Sequence, residues 1–194
     1  MKKILNHKRL ILGSQSPRRK QLLEELDLPF IQRVSDVDEV FDPEMPVEEV
    51  AEYLANLKAN ALRETLLEND VILTADSVVI CDGEFLGKPV DNEEAISFIN
   101  KLSDNEHTVI TGICIMDTSK SESYSESSIV KIGPLTDEEI AYYIENYQPM
   151  DKAGAYGIQE WFGHSHIEWI KGTYTNIMGL PTKLVYEKLR KFCL

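Results

Sequence analysis

Val71-Ile72-Leu73-Thr74-Ala75-Asp76-Ser77-Val78-Val79-Ile80 is a nearly continuous apolar run rich in β-branched residues. Such a run reads as a central strand. Asp82-Gly83 follows it as a turn signal. Upstream, Arg9–Leu12 reads as a first strand, and Ser16-Pro17 opens a helix, serine suiting the N-cap and proline the first helical position. Leu22, Leu23 and Leu26 give that helix one apolar face. Residues 30–35 read as a strand and 46–66 as a long amphipathic helix. Downstream, Asp91 and Glu94 stand at capping-box spacing before a helix through Lys101, and Thr136 and Glu139 repeat that spacing before a helix through Glu145. Residues 166–170 read as a short strand, and 179–192 as a closing helix with Pro181 in its first turn. The stretch 119–128, SKSESYSESS, lies between strand-like 109–116 and 129–132, and its polar alternation suggests a hairpin with an exposed edge. Strands and helices are interspersed, so the class is α/β or α+β with a mixed sheet and flanking helices.

A chain of 194 residues suits one such domain, or two lobes sharing a cleft. No apolar run is long enough to span a bilayer. The start, MKKILNHKRLILG, is interrupted by His7, Lys8 and Arg9, and reads as the lead-in to the first strand rather than a signal peptide. Cys81, Cys114 and Cys193 are odd in number, far apart and without a CxxC pair. They read as small buried thiols in a reducing compartment, not as a zinc knuckle or disulfide scaffold. The net charge of −13 repels nucleic-acid polymers and anionic membranes. It leaves room for a small anionic substrate wherever a few cations converge.

Six places carry chemistry-bearing residues. In Ser14-Gln15-Ser16-Pro17-Arg18-Arg19-Lys20, a strand passes through a hydroxyl-bearing loop into a helix. Free backbone N–H groups and the positive end of the helix dipole suit an anion there, and arginines grip phosphate in bidentate fashion. An ordinary capped helix with surface arginines has the same signature, and the glycine pattern of a Walker loop is absent. Lys58 falls on the apolar face formed by Val47, Val50, Ala51, Leu54 and Ala61, so it either snorkels outward or reaches into a cleft. Asp76 lies inside the central strand, where a carboxylate costs several kcal/mol unless paired or metal-bound. Gly87-Lys88-Pro89 is a stiffened turn that could present its lysine to a phosphate. Asp36, Asp38 and Glu39 offer hard oxygen ligands for Mg²⁺ or Mn²⁺, or form a plain acidic loop. Finally, Asp151-Lys152-Ala153-Gly154-Ala155-Tyr156-Gly157-Ile158-Gln159 ends in an amide able to read a base edge through a donor and an acceptor. His164 and His166 would face the same way on a strand but lack an obvious third ligand, and His107 reads as satisfying a local hydrogen bond.

Taken in order, these segments resemble the Maf family over nearly the whole chain. The match also includes Asp38-Glu39, Lys58-Ala59, Ala75-Asp76-Ser77-Val78-Val79, His107-Thr108-Val109-Ile110-Thr111-Gly112 and Asn176-Ile177-Met178-Gly179-Leu180-Pro181. The resemblance implies an elongated α/β fold similar to inosine-triphosphate pyrophosphatases, one domain over residues 1–194 with two lobes around a cleft. It implies a cytoplasmic, homodimeric, divalent-metal-dependent enzyme that releases pyrophosphate from a nucleoside triphosphate. In the family the position matching Asp76 is the proton acceptor, and those matching Arg18, Ser77 and Gln159 bear on substrate choice. Arginine and glutamine at two of them look like the branch cleaving dTTP and UTP, whereas the 7-methyl-GTP branch commonly replaces the arginine. That dTTP/UTP branch usually has threonine where this chain has Ser77.

A mechanism consistent with these residues has Asp76 orienting or deprotonating water, with Glu39 and Asp76 (or Asp38) holding the metal. Arg18, Lys58 and Lys88 then bind the triphosphate, Ser14, Ser16 and Arg19 supply further donors, and Gln159 reads a pyrimidine edge. Because the family is also linked with arrest of septum formation, a nucleotide-binding regulator with incidental hydrolysis is the rival expectation.

Overall fold

In the computed structural model, which describes residues 4–34 and 36–194, the apolar run becomes one long strand that organises the rest. The order is β1 (Arg9–Leu12), α1 (Pro17–Glu25), β2 (Phe30–Gln32), α2 (Val47–Leu62), β3 (Asp70–Cys81), β4 (Glu84–Leu86), α3 (Asn92–Leu102), β5 (Glu106–Met116), β6 (Ser121–Ile132), α4 (Asp137–Tyr147), α5 (Trp161–His166), β7 (Ile167–Lys171), α6 (Tyr174–Met178) and α7 (Thr182–Phe192). The strands form one mixed sheet in the order β2-β1-β3-β5-β6-β7, with β4 on β3. Strand β1 runs parallel to both β2 and β3, while β4 pairs antiparallel with β3 and β7 antiparallel with β6. No described helix is long and apolar enough to cross a membrane.

Several expected boundaries move, each for a local reason. Strand β2 ends at Gln32, and Ser35 lies outside the described residues. Helix α2 stops at Leu62 and tightens into a 3₁₀ turn, Arg63–Thr65, where the Thr65 hydroxyl donates to the Leu62 carbonyl at 2.7 Å. Asp91 caps α3 by accepting from the Glu94 N–H at 2.8 Å, but the Glu94 carboxylate reaches back to Val90 rather than to Asp91. Thr136 and Glu139 do form the reciprocal box. Residues 161–166 coil into α5, so His164 and His166 sit on a helix and the strand begins one residue later than expected. The closing helix begins at Thr182, because Gly179 has φ 113 and Pro181 flanks the first turn. The hairpin turn falls at 117–120, where the Asp117 carboxylate accepts from Ser119 N, Lys120 N and Lys8 Nζ. Pairing of β6 with β7 covers only 129–132.

The chain divides into two compact units, Met1–Asp76 with Thr111–Glu126 and Gly179–Leu194, and Ser77–Ile110 with Ser127–Met178. In the first, Ile11, Ala55, Ala59, Leu62, Leu66, Ile72, Cys114 and Met116 form a core cluster. Helix α2 turns Val50, Ala51, Leu54, Ala55, Ala59 and Leu62 inward; Ala61, expected on this face, is exposed. The helix lies very close to β5, since a Cβ on Gly112 would come within 2.4 Å of the Ala51 carbonyl carbon. The Thr74 hydroxyl donates to the Ala55 carbonyl at 2.6 Å, fixing the helix against β3 as well. In the second unit, Asp82 (φ 52) and Gly83 (φ 79) make the tight turn from β3 to β4. Ile99, Leu102, Tyr143 and Phe162 fill its interior.

The approach of α2 to β5 yields a stability prediction. Gly112→Val should destabilise the protein by about 1–3 kcal/mol, because a side chain must displace helix backbone rather than a mobile side-chain end. Thermal or urea unfolding beside the wild type reads this, and an unchanged midpoint would show that the helix can move away at no cost.

Candidate active site

The chemistry of the first unit gathers around one carboxylate. Asp76 is 7% exposed, near the middle of β3. Its Oδ1 meets the Lys58 ammonium at 3.3 Å and the Arg19 guanidinium at 3.7 Å. Lys58 also meets Glu39 Oε1 at 2.9 Å. One ammonium is thus shared by two carboxylates, and one carboxylate by two cations. Lys58 arrives there because it lies in the same helical row as Val50, Leu54 and Leu62, the row that faces inward. Its side chain is only 13% exposed, so it reaches the cluster rather than snorkelling to bulk water.

Arg19 is set by the start of α1. Ser16 is the N-cap, its hydroxyl accepting from Arg19 N at 3.4 Å, and Pro17 begins the helix. The Arg19 Nε donates to the Gly179 carbonyl at 2.8 Å, which aims the guanidinium at Asp76. Burial lowers the pKa of this guanidinium and Asp76 opposes that shift; arginine stays charged in either case. Ser14 is buried, its hydroxyl accepting from Ser16 N at 3.2 Å and its carbonyl from the Gln32 amide at 2.6 Å. Arg18 is half-buried beside Arg19 on the same turn.

The donor set fits a hard divalent cation. Glu39 and Asp76 converge on a point where a positive charge, the Lys58 ammonium, already sits. Among the described residues no group of three or more His, Cys, Asp or Glu side chains is arranged as a complete cage. Mg²⁺ characteristically takes one or two carboxylates and completes its shell with water and substrate phosphate, so two carboxylates are the expected number. Asp38 is exposed, and its carbonyl accepts from Val40 N at 2.9 Å.

The remaining expected residues belong to the second unit. Ser77 is half-buried on β3, Lys88 exposed in the turn after β4, and Gln159 half-buried in a turn before α5. The Gln159 Oε1 is buried without a hydrogen-bond partner. An acceptor left this way costs about 1–3 kcal/mol and is available to a ligand donor. Gly154 N donates to the Gly87 carbonyl at 3.0 Å, tying the loop that carries Gln159 to the turn that carries Lys88. His107 makes no local bond: its Nε2 lies 2.7 Å from the Tyr156 hydroxyl, far along the chain, and its Nδ1 is buried and unpartnered. Sequence reasoning gave no role of their own to Gly179 and Lys152, quoted only within longer motifs, and did not single out Tyr143 or Glu160. The first acts through its carbonyl, which no side-chain pattern reveals, and the other three act on one another across a loop.

The chain matches the family described as Maf-like protein over residues 9–192. It is 45% identical to a Flavobacterium johnsoniae protein called dTTP/UTP pyrophosphatase over 189 residues, 97% of either chain. It is 46% identical to a Porphyromonas gingivalis protein of the same name over 187 residues, 95% of this chain and 94% of that one. Among solved structures, the Ham1 protein of Staphylococcus aureus aligns with a TM-score of 0.47 at 16% identity, covering 64% of this chain and 72% of that chain.

Burial of His107 sets a pH dependence. Its pKa is lowered from 6.5 to about 4, because the interior disfavours the imidazolium. Between those values the unfolded chain binds more protons than the folded one, so this histidine's contribution to stability falls as pH drops from about 6.5 to about 4. The loss approaches about 3 kcal/mol at the acid end. His107→Gln should therefore flatten the acid side of the stability–pH curve relative to wild type, as read by urea unfolding across that range. Parallel curves would show that His107 takes up no proton on unfolding.

Proposed function

The chain belongs to the Maf-like protein family, and from that premise we propose that it hydrolyses dTTP and UTP to the monophosphate and pyrophosphate. The observation that carries the reading is Asp76, a carboxylate buried on a strand and paired with two cations that the core does not need. Pyrophosphate release requires water to attack the α-phosphorus. The new bond joins the water oxygen to that phosphorus, the bond to the bridging oxygen breaks, and the water gives up a proton. Asp76 accepts that proton, held in orientation by Arg19 and Lys58. Lys58, Arg18, Arg19 and Lys88 offset charge on the triphosphate and on departing pyrophosphate. Ser14 and Ser16, whose hydroxyls accept from the Ser16 and Arg19 N–H groups, would donate those hydroxyls to phosphate oxygens near the positive end of α1. Glu39 and Asp76 would hold a divalent cation, Mg²⁺ or Mn²⁺, which when bound supplies charge neutralisation at phosphate oxygens.

Gln159 and Ser77 are assigned to the nucleoside. Uracil and thymine present an N3–H donor between two carbonyls, which suits the unpartnered Gln159 Oε1 and the amide beside it. The homodimer, the cytoplasmic location and metal dependence are parts of the proposal supported by the family resemblance.

Pyrophosphate release from a panel of nucleoside triphosphates with Mg²⁺ or Mn²⁺, beside Asp76→Asn, tests the reading. Cleavage should be fastest with dTTP and UTP, and the variant should lose about 10²–10⁴-fold in kcat while still binding nucleotide. Preference for another nucleotide would discard the assignment of Arg18 and Gln159. Binding without turnover in the wild type would favour a nucleotide-binding regulator.

A further inference from the structure

The turn that carries Gln159 is closed by one buried phenol. Gly157, Ile158, Gln159 and Glu160 form a turn in which Glu160 N donates to the Gly157 carbonyl at 3.1 Å. Both ends of that turn meet the hydroxyl of Tyr143, a fully buried residue of α4. Gly157 N donates to the Tyr143 oxygen at 3.0 Å, and the Tyr143 hydroxyl donates to Glu160 Oε2. The proton count closes, since a phenol has one hydrogen to give and lone pairs to receive. The other Glu160 oxygen, Oε1, pairs with the Lys152 ammonium at 3.2 Å, and Lys152, 7% exposed, also pairs with Asp151 at 2.7 Å. The first and last parts of the loop are therefore joined through Glu160.

Close packing leaves the turn little room to shift. A Cβ on Gly157 would come within 2.6 Å of the Glu160 carboxyl carbon, and one on Gly154 within 3.0 Å of a Val79 methyl. Tyr143 is itself wedged between Tyr147 and Phe162, with ring centroids 5.0 and 5.2 Å away. Burial first, and then the Glu160 carboxylate, push the Tyr143 pKa well up, so the phenol keeps its proton.

We propose that Tyr143, with Glu160 and Lys152, is a positioning device for base selection: it holds both ends of the turn so that the backbone carrying the Gln159 side chain is fixed before a uracil or thymine edge arrives. This rests on the assignment of Gln159 to the base. Discrimination between bases by one amide needs its donor and acceptor held in place, because an amide that can swing or flip pairs equally well with a carbonyl and N3–H or with an amino group and a bare N3. UTP and CTP differ in just that respect.

Tyr143→Phe removes one oxygen and both bonds while leaving the ring in place. The experiment measures kcat and KM for UTP and CTP, together with hydrogen exchange at the Gly157 amide. The wild type should prefer UTP. The variant should lose about tenfold or more of that preference, through KM rather than kcat, with Gly157 exchanging faster. Equal losses on both nucleotides, or an unchanged preference despite faster exchange at Gly157, would overturn the positioning role. A wild type indifferent between UTP and CTP would sink the assignment of Gln159 and this proposal with it. Glu160→Gln keeps the side-chain volume but weakens the bonds to Tyr143 and Lys152. It is read by the same ratio, and decides the question if Tyr143→Phe does not fold.

Discussion

A carboxylate in the middle of a strand must be compensated, and much of the first unit is arranged to compensate Asp76. A bare buried charge costs several kcal/mol even after the surroundings relax, more than a single surface contact repays. Two cations from different helices therefore have to reach it. Arg19 reaches it because Ser16 and Pro17 fix where α1 begins, and because the Gly179 carbonyl takes its Nε. Lys58 reaches it because α2 is pressed onto the sheet at Gly112 and bonded to it at Thr74. Were α2 to stand farther off, the row carrying Lys58 would pull its ammonium away from Asp76 as well.

The cluster, two acids and two cations, is larger than a purely structural ion pair needs. A structural pair needs one acid and one base with their hydrogen bonds satisfied. Here Glu39 joins as a second acid with 40% of its side chain exposed, so the core gains little by including it. Two acids facing one lysine form a site whose charge changes when a cation or a polyanion arrives. On the proposed function, this arrangement serves binding chemistry more than folding energetics.

Much of this was legible in the sequence because periodicity and punctuation speak directly about backbone. The apolar run of β3, the Ser16-Pro17 helix start and the Thr136–Glu139 box all appear where local signals place them. Misplaced boundaries lie where tertiary contacts decide. Residues 161–166 coil because Phe162 packs beneath the aromatic rings of Tyr143 and Tyr156, a contact that no short window of sequence contains. The site shows the same division. Asp76 and Lys58 stand out because each breaks the apolar pattern around it. Lys152, Tyr143 and Glu160 do not, since a lysine in a loop, a tyrosine on a helix and a glutamate before another helix are individually ordinary. Only their meeting around one turn is informative, and that is a property of three dimensions.

Charge organises the two scales differently. With 33 acidic and 20 basic residues, the molecule as a whole repels polyanions. Yet α1 has Arg18, Arg19 and Lys20 in its first turns and no acid in the first, while α2 brings Lys58 inward. At the ionic strength of a cell, surface charges fade over about 8 Å, whereas buried pairs are screened far less. A small phosphate ester close to these groups would feel the local cations, and a nucleic acid spread over the surface would feel the net charge. The same composition can thus admit a nucleotide and turn away its polymer.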